Sequence, residues 1–183
     1  MGVKVKKDET RAVFTSIKSM LATKILVGVT QETAPRDPEP GERGPQPSNA
    51  QIGMWMEFGV PSKNIPARAF LVPGVRENFG KTTKRMMLAG QYAIEGAFDK
   101  ARMEYEAVGL EAQASVQQKI YDGPFEALAP ATIAARARRG RKGAVQYMAM
   151  LRAGQTPDQS LVKPLLDTGK LYQSITYVLR MKH

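Results

Sequence analysis

The chain contains no cysteine. Disulfides, thiolate metal sites and cysteine nucleophiles are excluded, and the composition suits a reducing cytosol. Histidine occurs once, as His183 at the last position, so a Ser-His-Asp triad or a metal-histidine site would have to be built from a terminus. No stretch approaches eighteen consecutive apolar residues, and no membrane span is expected. The start, MGVKVKKDETRAV, carries positive charge without an apolar stretch behind it, so a secretory signal is not expected. Lys6 stands where a myristoylation site wants Ser or Thr. A phosphate-cradling loop is also missing, because FGKTTK lacks the earlier glycine. Glu95, Asp99, Glu104 and Glu106 sit among Lys100 and Arg102 at spacings that suit a solvated, ion-paired helix face rather than a catalytic pair. The triplet Asp167-Thr168-Gly169 has no second copy, as an aspartic protease would need. These absences argue against an enzyme and imply no cofactor and no metal.

What the chain does have is positive charge. Its net charge is +10, unevenly spread. Residues 1–60 hold 8 basic and 7 acidic side chains, residues 61–120 hold 9 and 6, and residues 121–183 hold 10 and 4. Such a field favours anionic partners, either nucleic acid or an acidic protein surface. The densest cluster is ARARRGRKG, with Arg136, Arg138, Arg139, Arg141 and Lys142 in a basic loop expected over 136–143. Guanidinium forks match phosphate oxygens. No aromatic residue is interleaved for base stacking, so any DNA contact would be to the backbone and indifferent to sequence.

The pattern along the chain predicts an α+β fold in one domain spanning residues 1–183, its small antiparallel or mixed sheet packed on one long helix with additional short helices. Val13, Ile17, Met20 and Leu21 give a first helix over 9–23, and KILVGVT reads as a strand. TAPRDPEPGERGPQPSN, with five prolines and two glycines, predicts an extended Pro/Gly-rich loop or arm over 32–48. Ser48-Asn49 can cap a short helix presenting Ile52, Trp55, Met56 and Phe58, closed by Gly59. A long helix is expected from Pro73 to about Val108, with a break or kink at Gly109, continuing helically to Asp122-Gly123. Pro130 opens another helix that stops at Gly140; residues 143–155 read equally as helix or mobile segment. Asp167 is placed to cap a helix starting at Thr168, with Leu171 and Ile175 toward the core. ITYVLR is expected to pair with KILVGVT.

Three stretches together carry a family resemblance. IGMWMEFGVPSKNIPARAFLVPGV resembles the Glu-Phe-Gly and Pro-Ala-Arg-Pro-Phe-Leu segment of tailed-phage neck and tail-completion proteins, here Glu57, Phe58, Gly59, Arg68, Phe70 and Leu71, preceded by Trp55. PFEALAPATIAARARRGRKG is similar to their Pro-Leu-x-Pro-x-Thr-Ile-then-basic segment. PLLDTGKLYQSITYV looks like their C-terminal signature, here Asp167, Thr168, Gly169, Leu171, Ser174 and Ile175. Ala69 stands where the family usually has proline, and residues 143–163 match no family segment.

The resemblance implies a virion structural protein at the head–tail junction, made in the host cytoplasm and assembled as a homo-oligomeric ring, sixfold or twelvefold, around the DNA channel. Its partners would be other neck, tail-terminator, tail-tube or portal-side proteins, with nonspecific DNA contact at the basic cluster and no membrane. Read from the residues alone, a sequence-indifferent nucleic-acid-binding protein acting through 136–142 is the alternative. Arg68 reads as satisfying a local carbonyl or pairing with Glu57, and Trp55 as a core residue or interface anchor.

Overall fold

The structure, a computed structural model, describes residues 10–29 and 46–180. The protein is α+β, with eight α-helices and a two-stranded antiparallel sheet among these residues. In chain order the elements are α1 (Thr10–Leu21), β1 (Lys24–Val29), α2 (Asn49–Phe58), α3 (Leu71–Glu77), α4 (Phe79–Ile94), α5 (Phe98–Asp122), α6 (Pro130–Arg138), α7 (Lys142–Arg152), α8 (Lys170–Gln173) and β2 (Ile175–Arg180). The two strands pair with each other, as their β-branched and aromatic content predicts. Most of the Pro/Gly-rich segment 32–48 lies outside the described residues, as do His183 and the side chains of Met20 and Leu21. Among the described residues no helix is long and apolar enough to cross a membrane.

The chain divides into two compact units. The first is built from described residues 10–27, 75–115 and 177–180. In it α1 lies along α4. Small residues let α4 and α5 approach closely: Ala89, Ala93 and Ala101 are buried together with Tyr105, and Ile25 and Leu179 of the two strands pack on them. The sheet thus sits on the long helix. Arg85 bridges the same pair of helices, donating to Glu104 at 2.8 Å and to Glu111 at 2.7 Å.

The single helix expected from 73 to 108 is instead three. Asn78 leaves helical geometry, with φ −103° and ψ 7°, and ends α3. Gly96 takes φ +75° and separates α4 from α5. A positive φ cannot continue a right-handed helix, so the break falls where glycine permits it. Gly109, the expected kink, lies inside α5 for a packing reason. A Cβ there would overlap the Tyr177 ring, whose hydroxyl donates to Glu106 at 2.8 Å. Gly109→Ala should therefore cost about 1–3 kcal/mol from overpacking, against a helix-propensity gain of about 1 kcal/mol. Gly90→Ala, with nothing within 4 Å of its would-be Cβ, should gain up to about 1 kcal/mol. Urea denaturation of both variants measures the contrast.

The second unit is built from described residues 28–29, 46–74 and 116–176. Ser48 caps α2 as expected, and does so through a reciprocal box: its Oγ accepts from the Gln51 amide at 3.2 Å, and the Gln51 side chain accepts from the Ser48 amide at 3.0 Å. Pro130 opens α6 at its first turn, where a missing N–H costs nothing. Residues 142–152, ambiguous in sequence, are the helix α7. It packs on α6, burying Ile133, Ala144, Tyr147 and Val162. Elsewhere in the unit Phe70, Val116, Ile120 and Ile175 are each under 3% exposed.

Candidate functional site

The charged residues singled out in the sequence converge in the second unit. Glu57, near the end of α2, is only 8% exposed. Its carboxylate accepts from three successive backbone amides, Phe70 and Leu71 at 2.8 Å each and Val72 at 3.0 Å. These are the first-turn donors of α3 and the amide before it, which have no partner within their own helix. A glutamate thirteen residues upstream thus does the work of an N-terminal cap. Burying Glu57 turns its neighbour outward. Phe58, a candidate interface residue, is 74% exposed. Gly59 closes the helix with φ +74° and ψ 169°, a positive-φ conformation, outside the left-handed helical region, that glycine alone adopts readily, and a Cβ would stand 2.9 Å from the Ala67 amide nitrogen. Trp55 is half-buried, with the Lys63 ammonium 4.8 Å from its ring centre.

Arg68 does not pair with Glu57. It is 7% exposed and donates to the carbonyls of Glu126 at 3.0 Å and Ala127 at 3.2 Å. The first family-like stretch is thereby fastened to the second. Arg136 repeats the device. Also 7% exposed, it donates to the carbonyls of Lys163 at 2.8 Å and Pro164 at 2.7 Å, which fastens the second stretch to the third. A planar fork with several fixed donors suits this role, because two adjacent carbonyls can be satisfied by one side chain.

Asp167 has a different role from the one its sequence position suggests. The short helix α8 begins at Lys170 with Gly169 at its cap in a left-handed conformation, φ +75°, where glycine has no side chain to cap it. The Thr168 hydroxyl accepts from the Lys170 amide at 3.2 Å. Asp167 instead faces three arginines: Arg136 at 3.4 Å, Arg139 at 3.2 Å and Arg141 at 3.1 Å. Burial pulls the Arg136 guanidinium below its ordinary pKa. Asp167 opposes that shift, while Arg139, Arg68 and Arg141 add to it. Leu171 and Ile175 are buried as expected, and the Ser174 hydroxyl donates to the Leu171 carbonyl at 2.8 Å.

The expected basic loop over 136–143 is not a loop. Arg136 and Arg138 belong to the last turn of α6, and Lys142 begins α7. Nor do its five cations form one surface. Arg136 is spent on carbonyls and Arg139 and Arg141 on Asp167, whereas Arg138 and Lys142 are exposed. Arginines two apart on one helix, as Arg136 and Arg138 are, point in different directions. The sequence reading missed Lys163, whose ammonium donates to the Tyr121 carbonyl at 3.0 Å and lies over the Tyr121 ring. It also missed Lys170 beside the Asp167 cluster. Neither residue stands in a pattern that marks it out.

Comparison with protein-family models, curated protein sequences and solved structures found no match.

Proposed function

We propose that this protein is a structural subunit of a tailed phage or prophage particle, a neck or tail-completion protein that acts as a ring at the head–tail junction. The observation that carries the reading is the convergence of the three family-like stretches. They fall almost wholly in one unit; Arg68 joins the first to the second, Arg136 and Asp167 join the second to the third, and Glu57 closes the first on itself, and of these Glu57, Arg68 and Asp167 are residues that the resemblance itself singles out. Such a charged frame holds surfaces in place, and the residues it leaves outside are those available to neighbours. Phe58 is the exposed aromatic of the first stretch, and exposed aromatics serve as interface anchors. Among the described residues the two-stranded sheet also leaves strand edges unpaired, which a second copy could use. Heterologous contacts of this kind close into rings when each copy carries both complementary faces.

The test is particle morphology. Deleting the gene from the phage or prophage that encodes it should yield filled heads and separate tails, and the intact gene supplied in trans should rejoin them. Phe58→Ser should fold and fail to rejoin them. Normally joined virions without the gene would contradict the proposal.

Sequence-indifferent DNA binding through 136–142 loses three of its five cations to protein partners. Replacing the remaining two, Arg138 and Lys142, by glutamine should change the slope of log affinity for duplex DNA against log salt by about 2 at most. A salt titration of both proteins measures that change.

A further inference from the structure

Beside the face that buries Ala89 and Ala93 against α5, the helix α4 carries a second apolar stripe. It consists of Phe79, Thr83, Met86, Met87, Gly90 and Ile94, at the three- and four-residue steps that keep side chains on one side of a helix. Phe79, Met87 and Ile94 are each 65% or more exposed, and Met86 is open to solvent as well. The charged residues of the helix, Lys81, Lys84 and Arg85, lie off the stripe. Its spacing reads the same from either end. Phe79 and Ile94, Thr83 and Gly90, and Met86 and Met87 form three pairs, each equidistant from the midpoint between the two methionines. Large side chains stand at both ends and at the centre, with small ones between. That symmetry is what a twofold axis through the midpoint demands, because each residue then meets its mirror position in the other copy.

We propose that α4 packs antiparallel on α4 of a second copy of this chain, about a twofold axis between Met86 and Met87. Phe79 then meets Ile94, Thr83 meets Gly90, and Met86 meets Met87. The axis exchanges the two ridges Phe79-Thr83-Met87 and Met86-Gly90-Ile94, so that each enters the groove beside the other. Charge selects the same orientation. Lys81 and Lys84 stand in the first half of α4, and Glu95 follows its last residue. An antiparallel partner sets each basic half beside an acidic end, whereas a parallel one would set lysines against lysines. Antiparallel helix dipoles add to the preference. With about 100–150 Å² exposed on each large side chain, a pair would bury roughly 1,000 Å² in all, the lower bound of a specific interface. This contact is isologous and separate from the heterologous ring contacts proposed above, and it does not rest on them.

Sedimentation equilibrium of the full chain from about 1 to 200 μM should show a monomer–dimer equilibrium with a dissociation constant of about 1–100 μM. Met87→Glu should weaken the dimer by about a hundredfold or more, because two unpaired carboxylates would be buried near the axis. Its circular dichroism spectrum should be unchanged, since the side chain at 87 is exposed in the single copy. The chain has no cysteine, so single cysteines report the geometry under copper-phenanthroline oxidation. Met87→Cys should cross-link to itself. Phe79→Cys should not, its two copies lying about 22 Å apart along the helices, but it should cross-link to Ile94→Cys when the two variants are mixed. A chain that stays monomeric over this range, a dimer indifferent to Met87→Glu, or self-cross-linking of Phe79→Cys would overturn the proposal. None of these outcomes bears on whether heads and tails join.

Discussion

Glu57→Ala should destabilise the protein by about 3 kcal/mol, among the largest effects expected of a single substitution here. The carboxylate serves the amides of Phe70, Leu71 and Val72 at 2.8–3.0 Å, and alanine would leave all three without an acceptor. Each buried amide that loses its partner costs about 1–3 kcal/mol. Fraying of the first turn of α3 into water would recover part of the sum, which is why the total stays near the lower end. Glu57→Gln keeps an acceptor oxygen but loses the second one and the charge, so about half the loss is expected. Urea denaturation gives both values. Amide exchange at residues 70–72 locates the damage, because these amides should exchange faster in the variant than amides of α7.

Asp167→Ala should cost about 2–3 kcal/mol for a different reason. Arg136 has 8% of its side chain exposed and Asp167 has 24%. Removing the carboxylate leaves Arg136, Arg139 and Arg141 facing one another with no counter-charge from position 167. Breaking a buried pair by deleting one partner is far more damaging than replacing both. The double variant Asp167→Ala with Arg139→Met should therefore recover part of the loss. Equal losses for the single and double variants would show that Asp167 acts through something other than these arginines. Because Asp167 is a fourth exposed, the penalty should also shrink as salt rises.

The two predictions bear on how much of this molecule the sequence discloses. The α+β class, the pairing of KILVGVT with ITYVLR, the Ser48 cap and the helix after Pro130 all follow from local chemistry: branched residues, a capping hydroxyl, a proline at a helix start. These signals lie within a few residues of the element they specify. The helix break at Gly96 was missed because Gly109 competes with it on composition alone. Only the Tyr177 ring, distant in sequence, tells the two glycines apart.

The site was legible in its residues and not in their partners. Glu57, Arg68, Arg136 and Asp167 were all singled out, yet the partner of each depends on tertiary contacts. Asp167 has a cap's position before a helix, and three arginines outbid the orphan amides for its carboxylate. Arg136 and Arg138 differ by two residues in a helix, so one faces the protein and the other the solvent. Composition counts both as the same positive charge. Phe58 and Glu57 stand side by side at the end of α2, and the sequence alone does not say which of them turns inward. The helix can bury only one of two adjacent side chains here, and the three amides awaiting Glu57 decide which.

The central claim is that the arginine-rich run is divided, with Arg136 holding the fold together and Arg138 facing outward. Measuring the urea-denaturation free energies of Arg136→Met and Arg138→Met side by side tests it most directly. Arg136→Met should lose about 2–3 kcal/mol, since the carbonyls of Lys163 and Pro164 lose their donors, while Arg138→Met should stay within about 0.5 kcal/mol of the wild type. Equal effects of the two substitutions, or a larger one at Arg138, would contradict the account.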